Sequence, residues 1–211
     1  MSFDRLAPIY RTMERVLAGG KLQRCRTAWV AEVRSARRIL LVGEGHGRFL
    51  ERCAREFPEA SITCVDASRA MLRLAAARWQ AAGGRAEAVE FVQAELPAWR
   101  APEARFDLIV THFFLDCFPA PQLAEVVAGL ARAATPGARW LLADFTVPPR
   151  GWRRWRARWI LALAYAFFRR ATNLPARQIT PPDPFLEQAG FRRVKWRTSE
   201  WGLLRSDLWA R

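Results

Sequence analysis

Lysine is nearly missing from this chain of 211 residues. Lys21 and Lys195 stand alone, and the remainder of the 34 basic residues is arginine. Only 20 acidic residues offset them, which leaves a net charge of +14. The arginines are spread along the whole chain beside abundant alanine, a pattern of GC-rich coding with a solvated basic surface. Attraction to anionic substrates, RNA or an acidic membrane is the alternative, and charge alone does not separate the two. Cysteine is also sparse. Cys25, Cys53, Cys64 and Cys117 form no C-x-x-C pair, which excludes a zinc site and a disulfide framework and points to a reducing, cytoplasmic compartment. No set of His, Asp and Glu has metal-ligand spacing, so no metal is expected. Residues 1–10 carry Asp4, Arg5 and Pro8 with no apolar core segment, unlike a secretory leader. The one long apolar stretch, Trp159 to Phe168, is about half the ~20 residues of a membrane span. A hydrophobic fraction of 51% nevertheless supports a folded globule, most economically one domain.

What the chain does have is a glycine loop in a telling place. The apolar run from Ile39 to Val42 stops at Gly43-Glu44-Gly45-His46-Gly47, and helix-compatible residues resume at Arg48. A buried strand entering a tight turn and a helix start is where an α/β sheet receives a cofactor. The next apolar strand, from Ser61 to Val65, ends in Asp66, whose carboxylate can take both hydroxyls of a ribose. The dinucleotide pattern G-x-G-x-x-G fails, because Arg48 stands at its third glycine and Gly47 precedes it. Arg48 in a first helical turn opposes the helix dipole and calls for an anionic partner, either Glu44 or a ligand carboxylate. His46 reads as a loop-shaping residue rather than a catalyst.

On these residues the chain resembles the class I S-adenosylmethionine-dependent methyltransferases, whose first motif is an apolar strand followed by G-x-G-x-G and whose second strand ends in an acid. The resemblance implies S-adenosyl-L-methionine as cofactor, its methionine part against the loop backbone (Gly43, Glu44, Gly45, Gly47 and Arg48) and its ribose on Asp66, with Ala67 and Met71 beside it. The family's usual acid two positions before the first glycine is here Leu41. Phe91 to Leu96 is similar to the strand-three motif, where Glu95 would meet the adenine amine between Ala94 and Leu96. Thr111 to Asp116 follows strand four and, in the family, lines both the sulfonium and the acceptor pocket. There His112 or Asp116 is the candidate general base, His112 because imidazole titrates near neutrality, with Phe113 and Phe114 as pocket walls and Thr111 at the cofactor. No Asn- or Asp-Pro-Pro-aromatic tetrapeptide occurs at this place, which disfavours methylation of exocyclic base amines. The opening from Phe3 to Tyr10 resembles the segment that folds over the cofactor in small-molecule methyltransferases and brings Tyr10 to the methyl donor.

Strand and helix signals alternate over residues 37–146, the expected cofactor-binding core. Strand three is expected over Ala88 to Gln93, strand four over Phe106 to Thr111, and strand five over Trp140 to Ala143. Ser68 is expected to cap the helix after strand two. The next helix starts near Pro121, puts Leu123, Val126, Val127 and Leu130 on one face, and stops at Pro136-Gly137. Residues 1–36 form a helical cap with two helices split at Gly19-Gly20, residues 147–180 a helical insert, and residues 181–211 a closing helix and antiparallel hairpin. The expected fold is α/β, a Rossmann-like class I methyltransferase sheet of seven strands with the last antiparallel and helices on both faces. The insert, rich in arginine and tryptophan over residues 152–170, has three readings: a lipid-touching interfacial helix, a lid over a hydrophobic acceptor, or a buried helix with snorkelling arginines. The expected function is methyl transfer to a small hydrophobic or anionic acceptor. The rivals are an RNA-binding or RNA-modifying protein and a membrane-surface lipid or quinone methyltransferase.

Overall fold

The computed structural model describes residues 20–172 and 175–211. Seven strands form one sheet: β1 (Arg38–Val42), β2 (Ser61–Asp66), β3 (Val89–Gln93), β4 (Phe106–His112), β5 (Ala134–Phe145), β6 (Arg192–Ser199) and β7 (Leu204–Ala210). Their order is β3-β2-β1-β4-β5-β7-β6. β1 to β5 pair in parallel, and β7 runs antiparallel to both β5 and β6. The expected seven-stranded Rossmann-like sheet with its antiparallel close is therefore the fold observed.

Parallel strands covered on both faces must be apolar on both faces, and Ile39 to Val42 are all buried. One core layer lies against α4 (Ala120–Ala133), where Leu123, Val126, Val127 and Leu130 bury as their spacing predicts. The other lies against α2 (Arg48–Glu56) and α3 (Arg69–Ala81), with Phe49, Leu50, Cys53, Leu72, Ala75 and Trp79 inside. Trp140 and Trp209 face each other across β5 and β7, both fully buried, and lock the closing hairpin to the parallel half.

Two expectations are corrected. Pro136-Gly137 does not end α4: the helix stops at Ala133, and β5 begins at once with Ala134 paired to Phe106. Strand pairing takes the chain before the turn signal is reached, and the signal is spent as an irregularity in register between Phe106 and Leu108. The second helix of the N-terminal cap is two short pieces, α1 (Lys21–Arg26) and a 3-10 turn (Val30–Val33). The first helix and Tyr10 lie outside the described residues. The remaining helices are α5 (Gly151–Thr172) and α6 (Asp183–Gln188).

Candidate cofactor and acceptor site

The strand order reverses between β1 and β4, and an α/β sheet opens its ligand crevice at such a switch point, beyond the C-terminal strand ends. The tips of β1 and β2 are in register there, Val42 beside Val65, and the Gly43 amide donates to the Val65 carbonyl at 2.9 Å. A cleft of about 350 Å³ opens beside them, within the range of small-molecule sites. Its walls include the expected Asp66, Ala67, Ala94, Glu95, Leu96 and Phe114. They also include Val42, Val65, Phe118, Gln122 and Pro175, which no sequence motif singles out.

The three loop glycines all have positive φ, at 68°, 63° and 84°, but differ in what surrounds them. A Cβ on Gly43 would overlap the Phe114 ring, so this glycine admits an aromatic wall of the cleft. A Cβ on Gly47 would lie 2.6 Å from the Ala75 Cα, so this glycine lets α2 cross close to α3. At Gly45 nothing lies within 4 Å, and that space is open for a ligand to approach bare backbone. The Gly45 amide donates to Asp66 Oδ2 at 3.0 Å and the Ser68 amide to Asp66 Oδ1 at 2.9 Å, which fixes the carboxylate at the loop. A carboxylate oxygen can accept more than one hydrogen bond. Ser68 caps α3 by accepting from the Met71 amide at 3.1 Å.

Glu44 does not reach outward. Its Oε1 accepts the Phe49 and Leu50 amides at 2.7 and 3.0 Å, satisfying free N–H groups at the start of α2. Burial pushes its carboxyl up to about 7, against the opposing pull of those amides and of Arg26. Arg48 opens α2, and its carbonyl accepts from Gln23 Nε2 at 3.0 Å. Met71 and Thr111 are buried behind the cleft rather than in its walls, Thr111 accepting the Trp140 indole N–H at 2.8 Å.

The segment after β4 divides into two directions. His112 turns to the α2 side, edge-on to Phe49 with ring centroids 4.6 Å apart. Burial, then the charge of Arg26, holds its imidazole well below the usual value, so it is neutral at physiological pH. Its Nδ1 has no hydrogen-bond partner among the described residues. Phe113 takes a left-handed φ of 54°, packs on Phe145 and carries Arg26 over its ring at 5.0 Å. That turn sends Phe114 back into the cleft and carries the chain into the 3-10 turn Leu115–Cys117.

Asp116, half-buried in that turn, pairs with the buried Asp144. Its amide donates to Asp144 Oδ2 at 3.2 Å, while Asp144 Oδ1 accepts the Phe145 amide at 2.8 Å. The Tyr165 hydroxyl donates to the Asp116 carbonyl at 3.0 Å and approaches its Oδ2 at 3.4 Å. Burial raises both carboxyls, and for Asp144 the charge of Asp116 raises it further. Two close carboxylates in a dry site cannot both ionise easily, so the pair retains a proton toward neutrality. Asp144 and Tyr165 were missed by sequence reading, although Asp144 closes an apolar strand just as Asp66 does. Tyr165 projects from the inner stripe of α5, Ala157, Leu161 and Tyr165, into a second cavity of about 470 Å³. Arg154, Arg158, Arg177, Val147 and Ile179 share that cavity.

Comparison with known proteins agrees with this geometry. A family model described as a methyltransferase domain matches residues 39–137. A demethylmenaquinone methyltransferase of Deinococcus radiodurans is 32% identical over 71% of this chain and 61% of its own. A ubiquinone/menaquinone biosynthesis C-methyltransferase of Syntrophotalea carbinolica is 29% identical over 96% of this chain and 89% of its own. Against the curated relatives it matches, the chain thus spans from 50% to 89% of their length. Among solved structures, a Burkholderia thailandensis 1,6-didemethyltoxoflavin-N1-methyltransferase with bound S-adenosylhomocysteine superposes with a TM-score of 0.66. That likeness, at 19% identity over 98% of this chain and 84% of the other, is one of fold.

Proposed function

This chain belongs to the class I S-adenosylmethionine-dependent methyltransferases, with S-adenosyl-L-methionine as cofactor, and on that premise we propose that it methylates a small hydrophobic or anionic acceptor. The observation that carries the proposal is the strand-tip cleft lined by Asp66 and Glu95, with the Asp66 carboxylate held by the amide of the unobstructed Gly45. Asp66 accepts the ribose hydroxyls, Glu95 accepts from the adenine amine, and Ala94 and Leu96 flank the ring. When bound, the cofactor supplies an electrophilic methyl group on a positively charged sulfur.

The acceptor sits beneath α5, in the cavity shared by Tyr165, Leu161 and Ile179, where Arg154, Arg158 and Arg177 favour an anionic group. Asp116 is the candidate base: it stands in the turn between the cleft residues Phe114 and Phe118 and hydrogen-bonds Tyr165 of the second cavity. It takes the acceptor's proton as the acceptor oxygen or carbon gains the methyl group, and burial raises its carboxyl to about 6, against the opposing hydrogen bond from Asp144. His112, with its imidazole held low by burial and turned toward Phe49, is the poorer base. Relatives named for quinone methylation support a phenolic or quinol-like acceptor. Positioning of the two partners supplies most of the rate.

The test has two stages. Titration calorimetry with S-adenosylhomocysteine and with NAD decides the cofactor: heat with the second and none with the first refutes the proposal. Transfer of labelled methyl to a panel of phenols, quinols, amines and RNA then decides the acceptor. Label found on RNA alone, with none on small molecules, overturns the acceptor class.

A further inference from the structure

Helix α5 buries one face and exposes the opposite one. Ala157, Leu161 and Tyr165 are buried, packed with Phe145, Val147 and Leu203. On the other side, Trp152, Trp155, Trp159, Leu163 and Phe167 follow one another at helical spacing, and all are exposed. Trp155, Trp159 and Leu163 are 67%, 67% and 68% exposed, an extreme for side chains of this size. Trp201, itself 54% exposed, extends the patch: its ring lies 6.4 Å from that of Trp152, under the Arg156 guanidinium. A continuous apolar surface of this kind marks an interaction site.

Charge identifies the partner. Between Asp144 and Asp183 the chain has no acidic residue and eight arginines, at positions 150, 153, 154, 156, 158, 169, 170 and 177. The arginines cluster toward both ends of α5, and the apolar stripe runs between them. Among the described residues, no helix is long and apolar enough to cross a membrane. A tryptophan-rich apolar face bounded by arginine, on a helix that does not span, suits the boundary between lipid headgroups and acyl chains. RNA would use the arginines and the indoles but gains nothing from exposed Leu163, Ile160 and Phe167.

We infer that the outer face of α5, with Trp201, is a docking surface for an anionic lipid bilayer, and that the protein works while seated on it. The helix lies parallel to the membrane plane, Trp155, Trp159 and Leu163 enter the headgroup boundary, and the flanking arginines meet lipid phosphates. The inference is independent of the methyl acceptor, since it concerns the face of α5 turned away from the Tyr165 cavity.

Co-sedimentation of the full chain with vesicles tests it, using phosphatidylcholine alone or mixed with phosphatidylglycerol. Binding is expected to the mixed vesicles and to weaken with salt. Joint exchange of Trp155→Ser, Trp159→Ser and Leu163→Ser should weaken it roughly a hundredfold, three large apolar side chains each losing partial burial. Because all three are exposed, the variant should keep the wild-type melting temperature and cofactor affinity. Exchange of Arg153→Gln, Arg169→Gln and Arg170→Gln, none of which lines the Tyr165 cavity, should abolish the preference for phosphatidylglycerol. Failure of the intact protein to bind mixed vesicles overturns the inference. So does unchanged vesicle binding by the apolar triple variant, or a finding that this variant loses only RNA binding or self-association. None of these results bears on S-adenosylhomocysteine calorimetry, so docking and methyl transfer stand or fall separately.

Discussion

Substituting alanine at Gly45 and at Gly47 separates the two jobs of the glycine loop. Both residues have φ in the left-handed region, 63° and 84°. Each substitution therefore carries the same local cost, about 1 kcal/mol or somewhat more for an L-residue held there. Only at Gly47 does the new methyl strike the protein, 2.6 Å from the Ala75 Cα and 3.3 Å from its carbonyl oxygen. These are backbone atoms of α3, so relief requires one helix to move against the other, with an added cost of about 1–3 kcal/mol. At about 2–4 °C per kcal/mol for a chain of this size, Gly47→Ala should melt roughly 4–16 °C below wild type and Gly45→Ala only about 2–4 °C below. Cofactor affinity should report Gly45 independently of stability. Its methyl fills the open approach to the Asp66 corner, and S-adenosylhomocysteine should bind Gly45→Ala at least about tenfold more weakly, a difference of about 1.4 kcal/mol. Differential scanning fluorimetry and titration calorimetry on the two proteins suffice. Equal melting shifts refute the packing role of Gly47, and unchanged affinity in Gly45→Ala refutes the open cradle.

Three other perturbations probe the same geometry. Asp66→Ala removes the acceptor for the Gly45 and Ser68 amides as well as for the ribose, so S-adenosylhomocysteine affinity should fall about 10- to 100-fold, as for loss of a charged hydrogen bond; calorimetry showing wild-type affinity would remove Asp66 from the site. Asp144→Ala removes the hydrogen bond by which Asp144 favours the ionised Asp116, so the acidic limb of the methyl-transfer pH profile should move to higher pH, and an unmoved limb would exclude the carboxyl pair from proton removal. Glu44 holds its proton to about pH 7 in the folded chain against 4.5 ordinarily, so the native state binds the extra proton, and this contribution to stability is full below pH 4.5 and lost as pH rises through 7. Glu44→Gln keeps an oxygen for the Phe49 and Leu50 amides without titrating, and should gain about 1–3 kcal/mol over wild type between pH 4 and pH 8 in urea unfolding; parallel pH curves would contradict this.

The cofactor half of the site was legible because its signals are local. Ile39 to Val42 must be a strand buried on both sides, Ser68 must cap the helix that begins just past Asp66, and both act within a few residues. The proton-holding half was not. Asp116 and Asp144 lie 28 residues apart and meet only because β4 and β5 are sheet neighbours, and Tyr165 arrives from 49 residues away on α5. Strand period alone left His112 and Asp116 as equal candidates, and only the left-handed Phe113 separates them, one to the Phe49 side and the other toward α5. The insert was ambiguous for a different reason. Helix α5 is apolar on both faces, so periodicity could not say which face is inside until Phe145, Val147 and Leu203 were seen to take the Ala157, Leu161 and Tyr165 stripe.

The distribution of charge explains how one small domain handles a cation and an anionic environment together. In a chain carrying +14, four of the 20 acids stand at the C-terminal ends of adjacent parallel strands: Asp66 on β2, Glu95 beyond β3, Asp116 beyond β4 and Asp144 on β5. Parallel topology alone brings them to one edge, because every parallel strand ends on the same side of the sheet. On the proposed function, a cationic sulfonium nucleoside would thus meet acids gathered at one edge of a globally positive molecule. The arginines, although spread along the whole chain, are denser on α5, where on the proposals above they would favour an anionic acceptor in the inner cavity and anionic lipid on the outer face.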